Sequence, residues 1–162
     1  MAPLRVRIYP DAALRKRAKE VRTVGAEEKQ LLEFMGKTMY ATKGIGLAAP
    51  QVGISKRLIV LDAGDGLLKI ANPDIIEKSK SASPFEEGCL SIPGKLVEVR
   101  RPERITISFT NEDGKRIKKS FSGLAAKAMQ HEIDHLDGKL IIDYLPWYKR
   151  AFPKKGTVKC PQ

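Results

Sequence analysis

Between residues 26 and 43 the apolar side chains Leu31, Leu32, Phe34, Met35 and Met39 recur at the spacing of one helix face, and the run stops at Gly44. A second helical pattern covers roughly 123–137, with Leu124, Ala125, Ala128 and Met129 along it, Ser122 as its start signal and Gly138 as its stop. Between the two the period shortens. Arg57 to Leu61 and Leu67 to Ala71 read as strands around a Gly64-Asp65-Gly66 turn, and Lys95 to Val99 as another. Ile105, Ile107 and Phe109 alternate within a strand from Ile105 to Thr110, and Asn111-Glu112-Asp113-Gly114 turns it back through Ile117 to Phe121. Asp11, after Pro10, predicts the cap of a short basic helix over 11–21, and Leu140 to Leu145 is strand-like. The order predicts an α+β fold, with short antiparallel strands packed around one central helix.

At 162 residues the chain is expected to form one domain over 1–145, followed by a basic tail, 146–162, broken by Pro146, Pro153 and Pro161. No hydrophobic run approaches the roughly 18 residues that span a membrane, and the first residues, Met-Ala-Pro-Leu-Arg-Val-Arg-Ile, lack a secretory apolar core. The two cysteines, Cys89 and Cys160, sit in unlike contexts, which argues against a disulfide framework and for a reducing, cytoplasmic setting. The net charge of +11 favours encounter with polyanions. No motif for specific DNA binding accompanies it.

Chemistry concentrates in the last helix. Residues 131–135 read His-Glu-Ile-Asp-His and hold the only two histidines of the chain. On a helix this spacing puts both imidazoles on one face, one turn apart, where they can grip one metal ion, with Glu132 placed as a general base. A hydrolytic metal site commonly uses three protein ligands. The longer HExxHxxGxxH pattern fails because its last position is Ile141, and the acidic residues after His135, Asp137 and Asp143, are poorly placed. Cysteine remains. Cys160 lies by the terminus, whereas Cys89 lies in the loop-like Glu86-Glu87-Gly88-Cys89-Leu90-Ser91-Ile92-Pro93, so Cys89, His131 and His135 form the expected ligand set.

Three segments together resemble the peptide deformylases: Gly44-Ile45-Gly46-Leu47-Ala48-Ala49-Pro50-Gln51-Val52-Gly53, Glu87-Gly88-Cys89-Leu90-Ser91, and Gln130-His131-Glu132-Ile133-Asp134-His135-Leu136-Asp137-Gly138. The resemblance runs from Tyr9-Pro10-Asp11 to about Tyr144. It implies hydrolysis of the N-formyl group of formyl-methionine on nascent peptides, releasing formate. It also implies that the Gln51 side chain and the Leu90 backbone N–H stabilise the oxyanion, and that the Gly46 backbone approaches the substrate. Ile45, Leu124, Phe85, Ala128 and the face of His131 match the family's methionine pocket, with Glu87 and Lys127 at its rim. Leu96 stands where some members carry a substrate-touching arginine. The resemblance further implies iron(II), with zinc, nickel or cobalt also compatible with Cys/His/His ligation, and docking on the ribosome near the exit tunnel. Here the Pro-broken tail departs from the helix that some members dock with.

Two other readings stand beside this one. A zincin-type endopeptidase would share HExxH but ligate through a carboxylate. A basic ribosome- or RNA-binding module would use the metal only to staple its fold.

Overall fold

The computed structural model describes residues 3–150, so Cys160 and the tail from 151 onward lie outside the described residues. Two helices, α1 (Ala26–Ala41) and α2 (Gly123–Leu136), accompany seven strands: β1 (Gly46–Ala48), β2 (Leu58–Leu61), β3 (Leu68–Lys78), β4 (Ala82–Cys89), β5 (Ile92–Pro102), β6 (Arg104–Thr110) and β7 (Arg116–Ser122). Five strands form an antiparallel sheet in the order β1-β2-β3-β6-β7, and β4 and β5 form a separate hairpin.

Strand β2 explains how one sheet serves two cores. All four of its residues are buried, and alternate side chains leave a strand on opposite faces. Ile59 and Leu61 join Ile70, Ile105, Ile107 and Phe109 beneath Ala126, Met129, Ile133 and Leu136 of α2. Leu58 and Val60 join Leu32, Met35 and Met39 of α1 on the other face. The methionines at helical spacing are therefore packing residues. A third cluster sets Val97, Val99 and Cys89 of the hairpin against Leu14, Leu140, Ile141 and Ile142. Helix α2 thus has sheet on one flank and contacts β5 of the hairpin as well, the central position expected of it.

The predicted turn at 111–114 closes β6 onto β7, with Asn111 Oδ1 accepting from Asp113 N and Lys115 N at 3.0 and 2.9 Å. Helix α1 ends two residues before the predicted 43. Ser122 precedes α2 as predicted, but its side chain makes no capping bond.

Five expectations are corrected. The helix over 11–21 is only a 3₁₀ turn at Ala12–Arg15. Asp11 does cap it, accepting from Ala13 N at 2.9 Å. The chain then extends because Ala18 N donates to the Leu136 carbonyl and Lys19 bridges to Lys56, backbone bonds that a continuing helix would forfeit. The strand-like run from Leu140 is a 3₁₀ turn at Ile141–Tyr144, in which Asp143 accepts from Leu140 N at 2.9 Å. Its consecutive buried residues fit either element by pattern alone. The loop-like 86–93 is the end of β4, a tight turn and the start of β5, and the strand predicted from Lys95 begins at Ile92. Strand β3 runs on past Ala71 to Lys78 because Pro73 sits in a register shift, where it owes the ladder no N–H.

Candidate metal centre

Helix α2 carries His131 and His135 one turn apart, and the β4 end delivers Cys89 to the same point. His131 Nε2 lies 3.1 Å from His135 Nε2, which lies 3.2 Å from Cys89 Sγ. All three donor atoms fall within 4.8 Å of one another. A tetrahedral ion with ordinary Zn–N and Zn–S bonds would hold such donors about 3.3–3.6 Å apart, so the cluster fits one divalent ion once the two close pairs open by a few tenths of an ångström and Cys89 Sγ and His131 draw together by about an ångström. Cys89 is 9 % exposed and His135 1 %, so the donors are shielded from bulk water. Among the described residues, the buried side-chain polar atoms without a hydrogen-bond partner are Glu132 Oε2 and His135 Nδ1, both at this cluster.

Electrostatics agree with a cationic occupant. Burial pushes the Glu132 carboxyl up to about 7, against the opposing pull of His131. Burial also holds His135 well below its ordinary value, leaving its imidazole neutral and able to ligate. Burial disfavours charge on His131 too, but the neighbouring Cys89 and the hydrogen-bonded Glu87 outweigh it and raise that ring to about 10. A dication between these groups would take the place of the proton and reverse that balance.

Glu87, which the resemblance sets at the pocket rim, lines the cavity beside the cluster and is 4 % exposed. One oxygen meets His131 Nδ1 at 2.9 Å, and both are held by the guanidinium of Arg101. A ring N–H given to a carboxylate fixes the tautomer and leaves Nε2 free to ligate.

Beside the cluster opens a cavity of about 650 Å³. Ile45, Gly46, Phe85, Leu90, Leu124 and Ala128 line it together with Gln51 and Glu132, so the structure brings together every residue the sequence points to. Ile45 and Leu124 are large apolar residues left 41 % and 44 % exposed at its wall, and Leu96 is 65 % exposed there. Lys127 Nζ stands 4.7 Å from the Phe85 ring centre. Gln51 is buried, its Oε1 accepting from Ala48 N at 2.8 Å. That bond turns its Nε2 toward Cys89 Sγ, 3.8 Å away, and Ser91 Oγ, 3.4 Å away. A side chain at Gly46 would collide with the general-base candidate: a Cβ there would lie 2.5 Å from Glu132 Oε1.

Residues 3–151 match the family model of polypeptide deformylase. The chain belongs to the polypeptide deformylase family. Its activity is that of a deformylase, hydrolytic removal of the N-formyl group from nascent polypeptides. It is 44 % identical over 151 residues to the peptide deformylase of Thermotoga maritima, covering 93 % of this chain and 92 % of that one. The crystal structure of the Thermotoga maritima enzyme superposes with a TM-score of 0.87 over 90 % of this chain and 99 % of that one, at 44 % identity. The Ehrlichia chaffeensis deformylase in complex with actinonin superposes with a TM-score of 0.90 at 35 % identity, over 93 % of this chain and 92 % of that one. The antiparallel α+β architecture of this deformylase is the one expected from its sequence.

Reading the sequence missed Arg101 and Ser91 as parts of the site. Arg101 shares the parity of Val97 and Val99, the buried face of β5, and a charged residue on an apolar parity is the signal that could have found it. Ser91 is fully buried beside Gln51. No comparable signal marks it.

Among the described residues, no helix is long and apolar enough to cross a membrane.

Proposed function

We propose that Cys89, His131 and His135 hold one divalent ion, that Glu132 carries the proton of the reaction, and that Gln51 and the Leu90 N–H receive the developing oxyanion. One observation carries this reading: three ligand atoms converge beside an apolar-walled cavity, with a buried, unpartnered carboxylate oxygen next to them. When bound, the ion supplies Lewis acidity and makes water acidic enough to act near neutral pH. Iron(II) is the proposed occupant, with zinc the runner-up. The mixed thiolate and imidazole donors suit either, and also nickel or cobalt.

Glu132 accepts the proton of the attacking water and returns it to the leaving amine. Its place in an apolar wall beside the ligands keeps that proton from exchanging freely with solvent. Gln51 presents N–H rather than C=O to the reacting carbonyl because Ala48 N already occupies its oxygen. Hydrogen-bond donors fixed in advance of the reaction are commonly worth 10²–10³ in rate each. Ile45, Leu124, Phe85 and Ala128 offer apolar contact for the methionine side chain, and Gly46, lacking a side chain, lets the peptide backbone pass close to Glu132.

The catalytic domain is read as 1–145, with 146–162 as a basic extension. Action on nascent chains supports a cytoplasmic setting, and the +11 charge supports approach to the ribosome near its exit tunnel.

The test is formate release from formyl-Met-Ala-Ser by anaerobically prepared, iron(II)-loaded protein, with Glu132→Gln alongside. Formate from the wild type and almost none from a variant that still binds one equivalent of metal is the expected result. Equal rates would remove Glu132 from its role. Retention of activity and of one equivalent of metal in Cys89→Ala would instead remove Cys89 from the ligand set.

A further inference from the structure

The group that orients His131 comes from the hairpin, and the hairpin's own register does not explain how it is held. Glu87 pairs across the ladder with Val97, and Arg101 with Ser83. Their ion pair is therefore not between cross-strand neighbours. The Arg101 side chain instead reaches along β5 to grip both Glu87 oxygens with Nε and Nη2. Its remaining nitrogen, Nη1, donates to Asp134 Oδ2 at 2.9 Å. Asp134 sits on α2 one turn beyond His131, so the chain of contacts leaves the helix at His131 and returns to it at Asp134. Tyr144 covers the outer side. Its hydroxyl donates to the same Asp134 oxygen at 2.7 Å, and its ring lies 5.1 Å from Arg101 Cζ.

The side chains of Glu87 and Arg101 are 4 % and 5 % exposed. Ion pairs buried this deeply are a poor source of stability, because desolvation offsets most of their attraction. What they supply is geometry: a planar, forked donor admits few orientations of the carboxylate it holds. We infer that Arg101 and Tyr144 are positioning residues for the metal centre, acting through Glu87 to keep the His131 ring turned with Nδ1–H inward and Nε2 facing Cys89 and His135. Tyr144 contributes by excluding water from Arg101 and by sharing Asp134 with it. The inference rests on the proposed Cys89, His131 and His135 ligation, and assigns work to residues that touch neither substrate nor ligand atoms.

Cobalt(II) is the probe. Its affinity is measured by competition with a chromophoric chelator, and its visible absorption reports ligand geometry. The metal-free protein's melting temperature is recorded in parallel for Arg101→Lys, Tyr144→Phe and a control, Arg57→Lys. Arg57 also joins α2, donating to Asp137 Oδ1 at 2.8 Å from a side chain 9 % exposed, but its contact leads to no ligand. The expected result is cobalt affinity lowered about 10–100-fold in Arg101→Lys and at least threefold in Tyr144→Phe, with altered absorption in both. Arg57→Lys should melt lower but bind cobalt as the wild type does. Wild-type affinity and spectrum in Tyr144→Phe and Arg101→Lys, even with a lowered melting temperature, would overturn the inference. Should Arg101→Lys fail to fold, Tyr144→Phe alone decides, since Tyr144 is 43 % exposed. A wild type that binds no cobalt would sink the proposed ligation and this inference together. Tight wild-type binding with unaffected variants sinks only this one.

Discussion

Gly46→Ala is the sharpest single perturbation of the site. Gly46 is buried and paired with Leu61 across β1 and β2, so its backbone cannot retreat without unpairing the sheet edge. The new Cβ would sit 2.5 Å from Glu132 Oε1 and 2.9 Å from both Cδ and Cγ. Ordinary contact begins near 3.4 Å, so the carboxylate must move by the difference, about 0.9 Å. It has little room, since Glu132 is 5 % exposed on a helix packed by Ala128 and Met129. Misplacing a reacting group by about 1 Å costs on the order of 10²-fold in rate, and overpacking typically destabilises by about 1–3 kcal/mol. The expected outcome is kcat for formate release down by about two orders of magnitude, bound metal unchanged at one equivalent, and a melting temperature lowered by several degrees. The paired measurement matters, because metal loss alone would also abolish activity. An alanine variant with kcat within threefold of wild type and full metal would refute the placement of Glu132 as the proton carrier.

Gln51→Glu keeps an acceptor for Ala48 N but removes the N–H donor, so kcat should fall about 10²–10³-fold while the circular dichroism spectrum stays native; a loss under tenfold would exclude Gln51 from the oxyanion site. Adding zinc to metal-free protein should raise its melting temperature, by linkage worth about 2.7 kcal/mol at a hundredfold excess over Kd, and Cys89→Ala should show no such rise under the same titration. Asp143 has its pKa lowered: burial acts to raise it, but the Arg15 guanidinium and the Leu140 N–H outweigh that. A carboxyl whose folded pKa lies below its unfolded value stabilises above about pH 4 and loses that contribution as pH falls further. Asp143→Asn should therefore be less stable than wild type at pH 7 and converge on it in urea melts below pH 4; a constant gap across that range would refute the assignment.

What could be read from the sequence was whatever repeats over short distances. The period of Leu32, Met35 and Met39 marks α1, the Asn111 to Gly114 turn marks the β6–β7 hairpin, and two histidines four residues apart mark one face of α2. Cys89 could be reached by exhausting the other candidates. Where the reading failed, distant backbone partners outweighed local preference. Asp11 is a real cap, yet no helix follows, because Ala18 and Lys19 bond to Leu136 and Lys56, far along the chain. Glu86-Glu87-Gly88 looks like loop because acidic residues and glycine are depleted in strands, and only the pairing of β4 with β5 makes it extended.

The same division separates the ligands from what holds them. Two imidazoles on one helix come into position with the helix, since its rise and twist set their separation before any tertiary contact forms. The third ligand has no such guarantee. Cys89 ends a strand of a two-stranded hairpin, a unit that is marginal by itself in water, and its distance from α2 depends on how firmly that hairpin is fastened. Two of its fastenings differ in kind. Val97 and Val99 bury against Leu14, Leu140, Ile141 and Ile142, which sets the hairpin's depth but is tolerant of small slides. The ion pairs running from Arg101 to Glu87 and Asp134 are directional and join the hairpin to the helix that bears both histidines. A centre with ligands from two independently formed elements requires both kinds of contact. Spacing within a motif reveals the helix-borne half, whereas the other half depends on an arginine thirty residues before the histidines, visible beforehand only as a charge on the buried parity of β5.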